Sequence, residues 1–119
     1  MESSEGAYRP DRRNCLTRQW ETAGDDSNTI RVQNLIWRRK GQLVDFVINL
    51  QELTSEGWET VEYVDRCHGS CHHHPQNGTT RVILRLDVVG DVQNAYRVAQ
   101  PLICTRRISD RRKLRNPHA

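Results

Sequence analysis

Residues 80–89 read TRVILRLDVV, and this segment decides the class of fold that we predict. Apolar and polar side chains alternate along it, as they do in a strand of an antiparallel sheet that is covered on one face only. One face would carry Val82, Leu84, Leu86 and Val88, and the other would carry Arg81, Ile83, Arg85 and Asp87.

Three further strands are predicted upstream of this segment. Residues 30–37 lead into a basic turn at 38–41, residues 43–51 form the second strand, and a third runs from Trp58 to about Arg66. Residues 43–53 also fit the apolar stripe of a helix, but their many β-branched side chains favour a strand.

A helix follows Gly90, because Val92, Ala95 and Ala99 recur at helical spacing until Pro101 interrupts the pattern. The predicted fold class is therefore α+β: a four-stranded antiparallel sheet, mostly a meander, with a C-terminal helix packed on one face. We divide the chain into a polar N-terminal arm (residues 1–29), a single domain (30–105) and a basic C-terminal tail (106–119).

The composition excludes several classes of protein. The 119 residues suit one domain, and their mean hydropathy of -0.81 argues against a membrane protein. No apolar run is long enough for a membrane helix, and the polar start lacks the apolar core of a signal peptide. We therefore expect a cytoplasmic protein without a membrane partner, in which the four cysteines are thiols or metal ligands rather than disulfides.

Arginine dominates the positive charge, since it supplies all but two of the 18 basic residues in a chain of net charge +3. The planar guanidinium suits phosphate and carboxylate groups, although codon usage in a GC-rich genome would give the same bias. The residues predicted to contact RNA are Arg66, Trp37, Arg38, Arg39, Arg111 and Arg112. The alternative for Trp37 is that it is a buried hydrophobic anchor. The alternative for the C-terminal tail is that it is solvated, or that it docks a partner or the sheet.

Histidines cluster in residues 65–75, which read DRCHGSCHHHP and which we place in a loop before the last strand. Histidine can give or take a proton near neutral pH. A pair of imidazoles could therefore deprotonate a 2′-hydroxyl and protonate the leaving 5′-oxygen of RNA. The candidate catalytic residues are Asp65, His68, His72, His74, Arg81 and Arg85, with Asp65 orienting an imidazole and the arginines or Arg66 stabilising the phosphate. The alternative is a solvated loop without chemistry.

Zinc is a second interpretation of the same segment. Cys67 and Cys71 have an admissible spacing for thiolate ligands, and His72 and His74 would complete a tetrahedron. No second ligand pair lies elsewhere at a suitable spacing, since Cys15 is in the polar arm and Cys104 is far along the chain, and a site built from this one short segment would be strained. We therefore predict no cofactor and keep zinc as the alternative.

One resemblance rests on the pattern Trp58-x-x-Val61, Asp65-x-x-His68-Gly69 and His72-x-His74. Over residues 43–86 the chain resembles a group of small, mostly uncharacterised bacterial proteins that are similar to toxins of toxin–antitoxin pairs. That class includes endoribonucleases that cut messenger RNA. The resemblance implies a single sheet with a covering helix and an active site at Asp65, His68, His72 and His74. Tyr63 stands where the group's pattern has an arginine.

These observations predict a small toxin-like endoribonuclease that cleaves RNA by metal-independent acid–base catalysis. Its expected partners are RNA and an acidic antitoxin protein, with a second copy of the chain as a candidate. The alternative function is a non-catalytic module that binds nucleic acid or protein, stabilised by zinc through the Cys/His segment.

Overall fold

A computed structural model of the protein describes residues 5–67 and 69–115, with the side chains of residues 66, 67 and 105–115 left out of the description. Six strands and one helix lie within these residues. They are β1 (Leu16–Ala23), β2 (Ile30–Arg39), β3 (Gln42–Thr54), β4 (Gly57–Cys67), β5 (Ser70–His74), β6 (Arg81–Arg85) and α1 (Gly90–Arg115).

The strands form one sheet in the order of the chain, and each is antiparallel to its neighbours. This meander with a C-terminal helix on one face confirms the predicted α+β class. We call the side packed against α1 the helix face; it carries Phe46, Ile48 and Val64. The opposite side, which carries Asn49, Tyr63 and His74, is the open face, because no other helix or strand of the described chain covers it.

The predicted number of four strands is wrong, because six are present in the part of the chain that the structure describes. The first additional strand, β1, lies within residues 1–29, and most of its side chains are exposed, so it shows little apolar alternation. The second, β5, is built from the histidine-rich segment that we predicted as a loop. Its alternation is hidden because histidines occupy both faces.

The last strand also differs from its prediction, since β6 ends at Arg85 rather than at residue 89. A bulge interrupts its pairing with β5: Cys71 lies opposite Leu84, but His72 lies opposite Val82. An extra residue in one strand shifts the alternation of all side chains beyond it. The even alternation of apolar and polar residues over 80–89 therefore does not show which side chains point to which face of the sheet. Val82, which the alternation places on the apolar face, is 45% exposed.

The helix is longer than predicted, because Pro101 lies inside α1 and does not end it. Proline removes one backbone hydrogen bond, and here its side chain is exposed. No helix of the described residues combines the length and the apolar character needed to cross a membrane.

The core lies between α1 and the helix face. Small side chains at Ala95 and Ala99, both fully buried, allow the helix to approach Phe46 and Ile48 closely. The rings of Phe46 and Tyr96 meet edge to face at 5.1 Å. Tyr96 Oη donates a hydrogen bond of 3.0 Å to Asn34 Oδ1, which satisfies a polar side chain inside the core.

The N-terminal residues 5–15, which we call the strap, connect the β4–β5 turn and the end of β6 to the central strand β3. Gly6 N donates to Gly69 O at 2.8 Å, and Tyr8 N donates to Leu86 O at 3.0 Å. Further along, Arg12 Nε lies 2.7 Å from the buried carboxylate of Asp45. The residues that precede β1 therefore hold the structure mainly through backbone and charged contacts, and Tyr8 also packs against the core.

Asp25 organises the loop between β1 and β2. Its carboxylate accepts hydrogen bonds from Thr29 N at 2.9 Å, Ile30 N at 3.1 Å and Ser27 Oγ at 3.1 Å. Its partial burial alone raises the pKa of Asp25, but these hydrogen bonds and one from Thr29 Oγ1 outweigh burial and lower that pKa to about 2.

We predict that Asp25→Ala lowers the free energy of unfolding at pH 7 by about 1 kcal/mol, because the hydrogen bonds to the carboxylate are lost and solvent weakens their contribution at this partly exposed site. The folded-state pKa lies below the ordinary value of 3.8. The stability from Asp25 is therefore present above pH 4 and is lost as the pH falls from about 4 to about 2. Urea unfolding at several pH values measures this difference. Asp26→Ala, a change in the exposed neighbour, is the control; an equal loss there, or a loss at Asp25 that does not shrink in acid, would contradict the prediction.

Candidate functional site

The pairing of β4 with β5 sorts the three consecutive histidines between the two faces of the sheet. Tyr63 lies opposite His74, and Asp65 lies opposite His72. Residues that face each other in an antiparallel pair point to the same side of the sheet. His72 and His74 therefore share the open face with Asp65 and Tyr63, while His73 points to the helix face.

His74 is held in one orientation by two neighbours on β4. Its Nε2 lies 3.1 Å from Asp65 Oδ1, and its ring stacks on Tyr63 with centroids 4.2 Å apart and planes inclined by 12°. The other ring nitrogen, Nδ1, lies 3.4 Å from Thr80 Oγ1. The His74 side chain is 27% exposed. Solvent or a ligand can therefore reach an imidazole whose tautomer and tilt are set by Asp65 and Tyr63.

His72 supplies a second imidazole beside the first. Its Nε2 lies 2.8 Å from Ser70 Oγ, and the centroids of the His72 and His74 rings are 6.1 Å apart. A hydrogen bond spans about 2.8 Å. Two groups at this separation can each reach one oxygen of the same phosphodiester, which suits an acid and a base acting on one phosphorus atom.

The structure separates the two arginines that the sequence placed together on β6. Arg85 lies opposite Ser70 and thus next to the open-face histidines, and its Nε contacts both carboxylate oxygens of Asp87 at 3.1 Å. Arg81 lies opposite His73, on the side of the helix face. The prediction that both arginines share one face is therefore wrong, and the bulge in β6 is the reason.

Three of the residues predicted to contact RNA, which are partly exposed, also have partners within the protein. The guanidinium of Arg12 lies 3.7 Å from the centroid of the Trp37 ring. Arg38 Nη1 donates to Gly41 O at 3.3 Å, within the β2–β3 turn. Arg39 Nη1 donates to two carbonyl oxygens of the strap, those of Asp11 and Arg13, both at 3.0 Å. The remaining predictions at Arg66, Cys67, His68, Arg111 and Arg112 concern side chains outside the described part of the molecule.

The zinc alternative requires Cys71, His72 and His74 to converge, and the strand keeps them apart. Cys71 is fully buried on the helix face, whereas both histidines point to the open face. Burial, with smaller contributions from the charges of Asp65 and Asp45, raises the pKa of the Cys71 thiol to about 12. Over the residues with described positions, no group of three or more potential metal ligands comes together.

A polar row crosses the open face towards His74, and no motif or spacing in the sequence indicates it. Gln33 lies opposite Asn49, Asn49 opposite Tyr63, and Tyr63 opposite His74. Asn49 Nδ2 donates to Gln33 Oε1 at 2.9 Å. These residues are scattered over more than forty positions of sequence, so only the strand registers reveal that they are neighbours.

Comparison with models of protein families, with curated proteins and with solved structures found no match to this chain.

The burial of Cys71 gives a direct check on the faces of β5. Because the thiolate is the reactive form and a thiol with a raised pKa supplies little of it, we predict that iodoacetamide alkylates Cys71 in the folded protein at pH 8 about 100-fold more slowly than in urea. Mass spectrometry of timed digests measures the rate, and the half-buried Cys15 serves as the internal comparison. Equal rates for Cys71 with and without urea would place its side chain in solvent and contradict the register.

Proposed function

We propose that the protein is a small endoribonuclease, similar to the toxins of bacterial toxin–antitoxin pairs, and that it cleaves RNA with His72 and His74. The observation that carries this proposal is the pair of accessible imidazoles, 6.1 Å apart on the open face. Each has a ring nitrogen beside a partner on the sheet, Ser70 for His72 and Asp65 for His74.

His74 acts as the base in the proposed reaction. Asp65 accepts a hydrogen bond from Nε2–H, which leaves Nδ1 as the acceptor for the proton of a ribose 2′-hydroxyl, and the carboxylate stabilises the imidazolium that forms. The 2′-oxygen attacks phosphorus, and a new bond between them closes a 2′,3′-cyclic phosphate. Thr80, at 3.4 Å from Nδ1, makes only a long contact that a substrate can replace.

His72 acts as the acid. It enters the reaction protonated and transfers its proton to the 5′-oxygen as the bond from phosphorus to that oxygen breaks. Arg85, opposite Ser70 on the adjacent strand, is the cation that would stabilise the charge developing on the phosphate. The scheme places no metal in the reaction.

The open face favours a single-stranded substrate. Tyr63 is 36% exposed beside His74, and the amides of Gln33 and Asn49 continue from it across the sheet. Unpaired bases can stack on aromatic rings and hydrogen-bond to amides through their Watson–Crick edges, whereas in an RNA duplex the ring faces are stacked on one another and these edges are paired. The need for a 2′-hydroxyl restricts the reaction to RNA.

The predicted partners follow from the same site. An acidic antitoxin would inhibit cleavage by covering the open face near Arg85, and a homodimer is a further prediction of the sequence. Isolating the protein together with its bound partners tests both proposals.

We predict that the purified protein cleaves single-stranded RNA in EDTA and leaves a 2′,3′-cyclic phosphate. His72→Gln and His74→Gln should each lower the cleavage rate by about 10²- to 10⁴-fold, the usual contribution of a general acid or base. The rate on a labelled oligonucleotide and the product mass are the measurements. DNA of the same sequence should stay intact.

Arg85→Gln and Arg81→Gln form a matched pair of controls on one strand. Removing Arg85 should reduce the cleavage rate by about 10-fold or more, while removing Arg81 should leave it unchanged. Absence of cleavage by the folded wild type, or cleavage at the wild-type rate by the His72→Gln or His74→Gln variant, would refute the proposed function. Binding of RNA without cleavage would favour the alternative of a non-catalytic module.

A further inference from the structure

We propose a second binding site, independent of the proposed nuclease activity, in a groove between α1 and the edge of the sheet at β6. Its ligand is a single-chain amphipathic carboxylate of medium length. The back groove, as we call it, has a volume of about 610 Å³, and its lining includes His73, Arg81, Val82, Ile83, Val98 and Leu102. It lies on the helix-face side of β5, behind the histidines of the open face.

The lining indicates an alkyl chain. Val98 is 51% exposed although it is aliphatic, and Ile83 and Leu102 are partly buried beside it. Covering these side chains removes apolar surface from water, which is the main driving force for binding in such a groove. Among its described lining residues there is no phenylalanine, tyrosine or tryptophan on which a base or sugar ring would stack.

The charge at the groove indicates an anion. Arg81 is exposed at the groove, and no described carboxylate lies within ion-pair distance of it. Arg85, the other arginine of β6, pairs with Asp87. One cation beside an apolar groove complements a molecule with one negative charge and an apolar body.

The polar residue in the lining does not change this charge balance. His73 Nε2 lies 3.2 Å from Glu62 Oε2, and the two side chains are only 7% and 3% exposed. Glu62 also accepts a hydrogen bond of 3.1 Å from Gln76 N. Because His73 and Glu62 pair with each other inside the protein, Arg81 is the cation of the lining that can bind the headgroup. Its planar guanidinium suits carboxylate and phosphate alike, and a carboxylate supplies the single negative charge that one cation complements.

The test titrates the full chain with octanoate and follows the backbone amide resonances. We expect saturable shifts in β6 and in the part of α1 around Val98. The neutral 1-octanol should bind about two- to fivefold more weakly, as the loss of one partly exposed ion pair implies, and octylammonium more weakly still. No saturable shifts with millimolar octanoate, or equal affinity for octanoate and 1-octanol, would overturn the proposal.

Two matched pairs of variants locate the site. Val98→Asp should abolish octanoate binding, whereas Val88→Asp, at a valine that is 61% exposed outside the groove, should leave it unchanged. Arg81→Gln should reduce the affinity for octanoate to that of 1-octanol, and Arg18→Gln on the far edge strand should not. Wild-type binding by the Val98 or Arg81 variant would refute the site. Since RNA cleavage is measured separately, its absence would not affect this result.

Discussion

The pairing of β4 with β5 is the constraint on which the rest of the structure depends. Neighbouring residues of a strand point to opposite faces, so a register that places His72 opposite Asp65 also sends His73 into the protein. A slip of one residue would bury two histidines and expose one. The observed register puts His73 beside Glu62 and Val64 on the helix face, and it puts His72 and His74 beside Asp65 and Tyr63 on the open face.

The two faces of β5 therefore carry two different environments within three residues. On the open face the imidazoles are accessible and oriented, which suits proton transfer. On the helix face, His73 and Glu62 form a buried pair, and Cys71 is a protonated thiol inside the core. The bulge in β6 extends this separation to the next strand, because it leaves Arg85 beside the open-face histidines and Arg81 beside the groove.

Apolar periodicity made the class of fold predictable, since β2, β3 and the start of α1 bury alternate or helically spaced side chains. It could not reveal β1, which is mostly exposed, or β5, whose histidines are polar on both faces. The clustering of histidines indicated the site. Which histidines meet depends on the register between strands, so the position of Tyr63 beside His74 could not be derived from spacing. The bulge depends on contacts between strands, so the separation of Arg81 from Arg85 could not be derived from spacing either.

The most direct test of this account is the reactivity of the three histidines towards diethyl pyrocarbonate, mapped by mass spectrometry in the folded protein. The account predicts that His72 and His74 are modified while His73 is protected until the protein unfolds. Modification of His73 at the rate of its two neighbours would show that the segment is a solvated loop. That result would contradict both the strand β5 and the arrangement of imidazoles built on it.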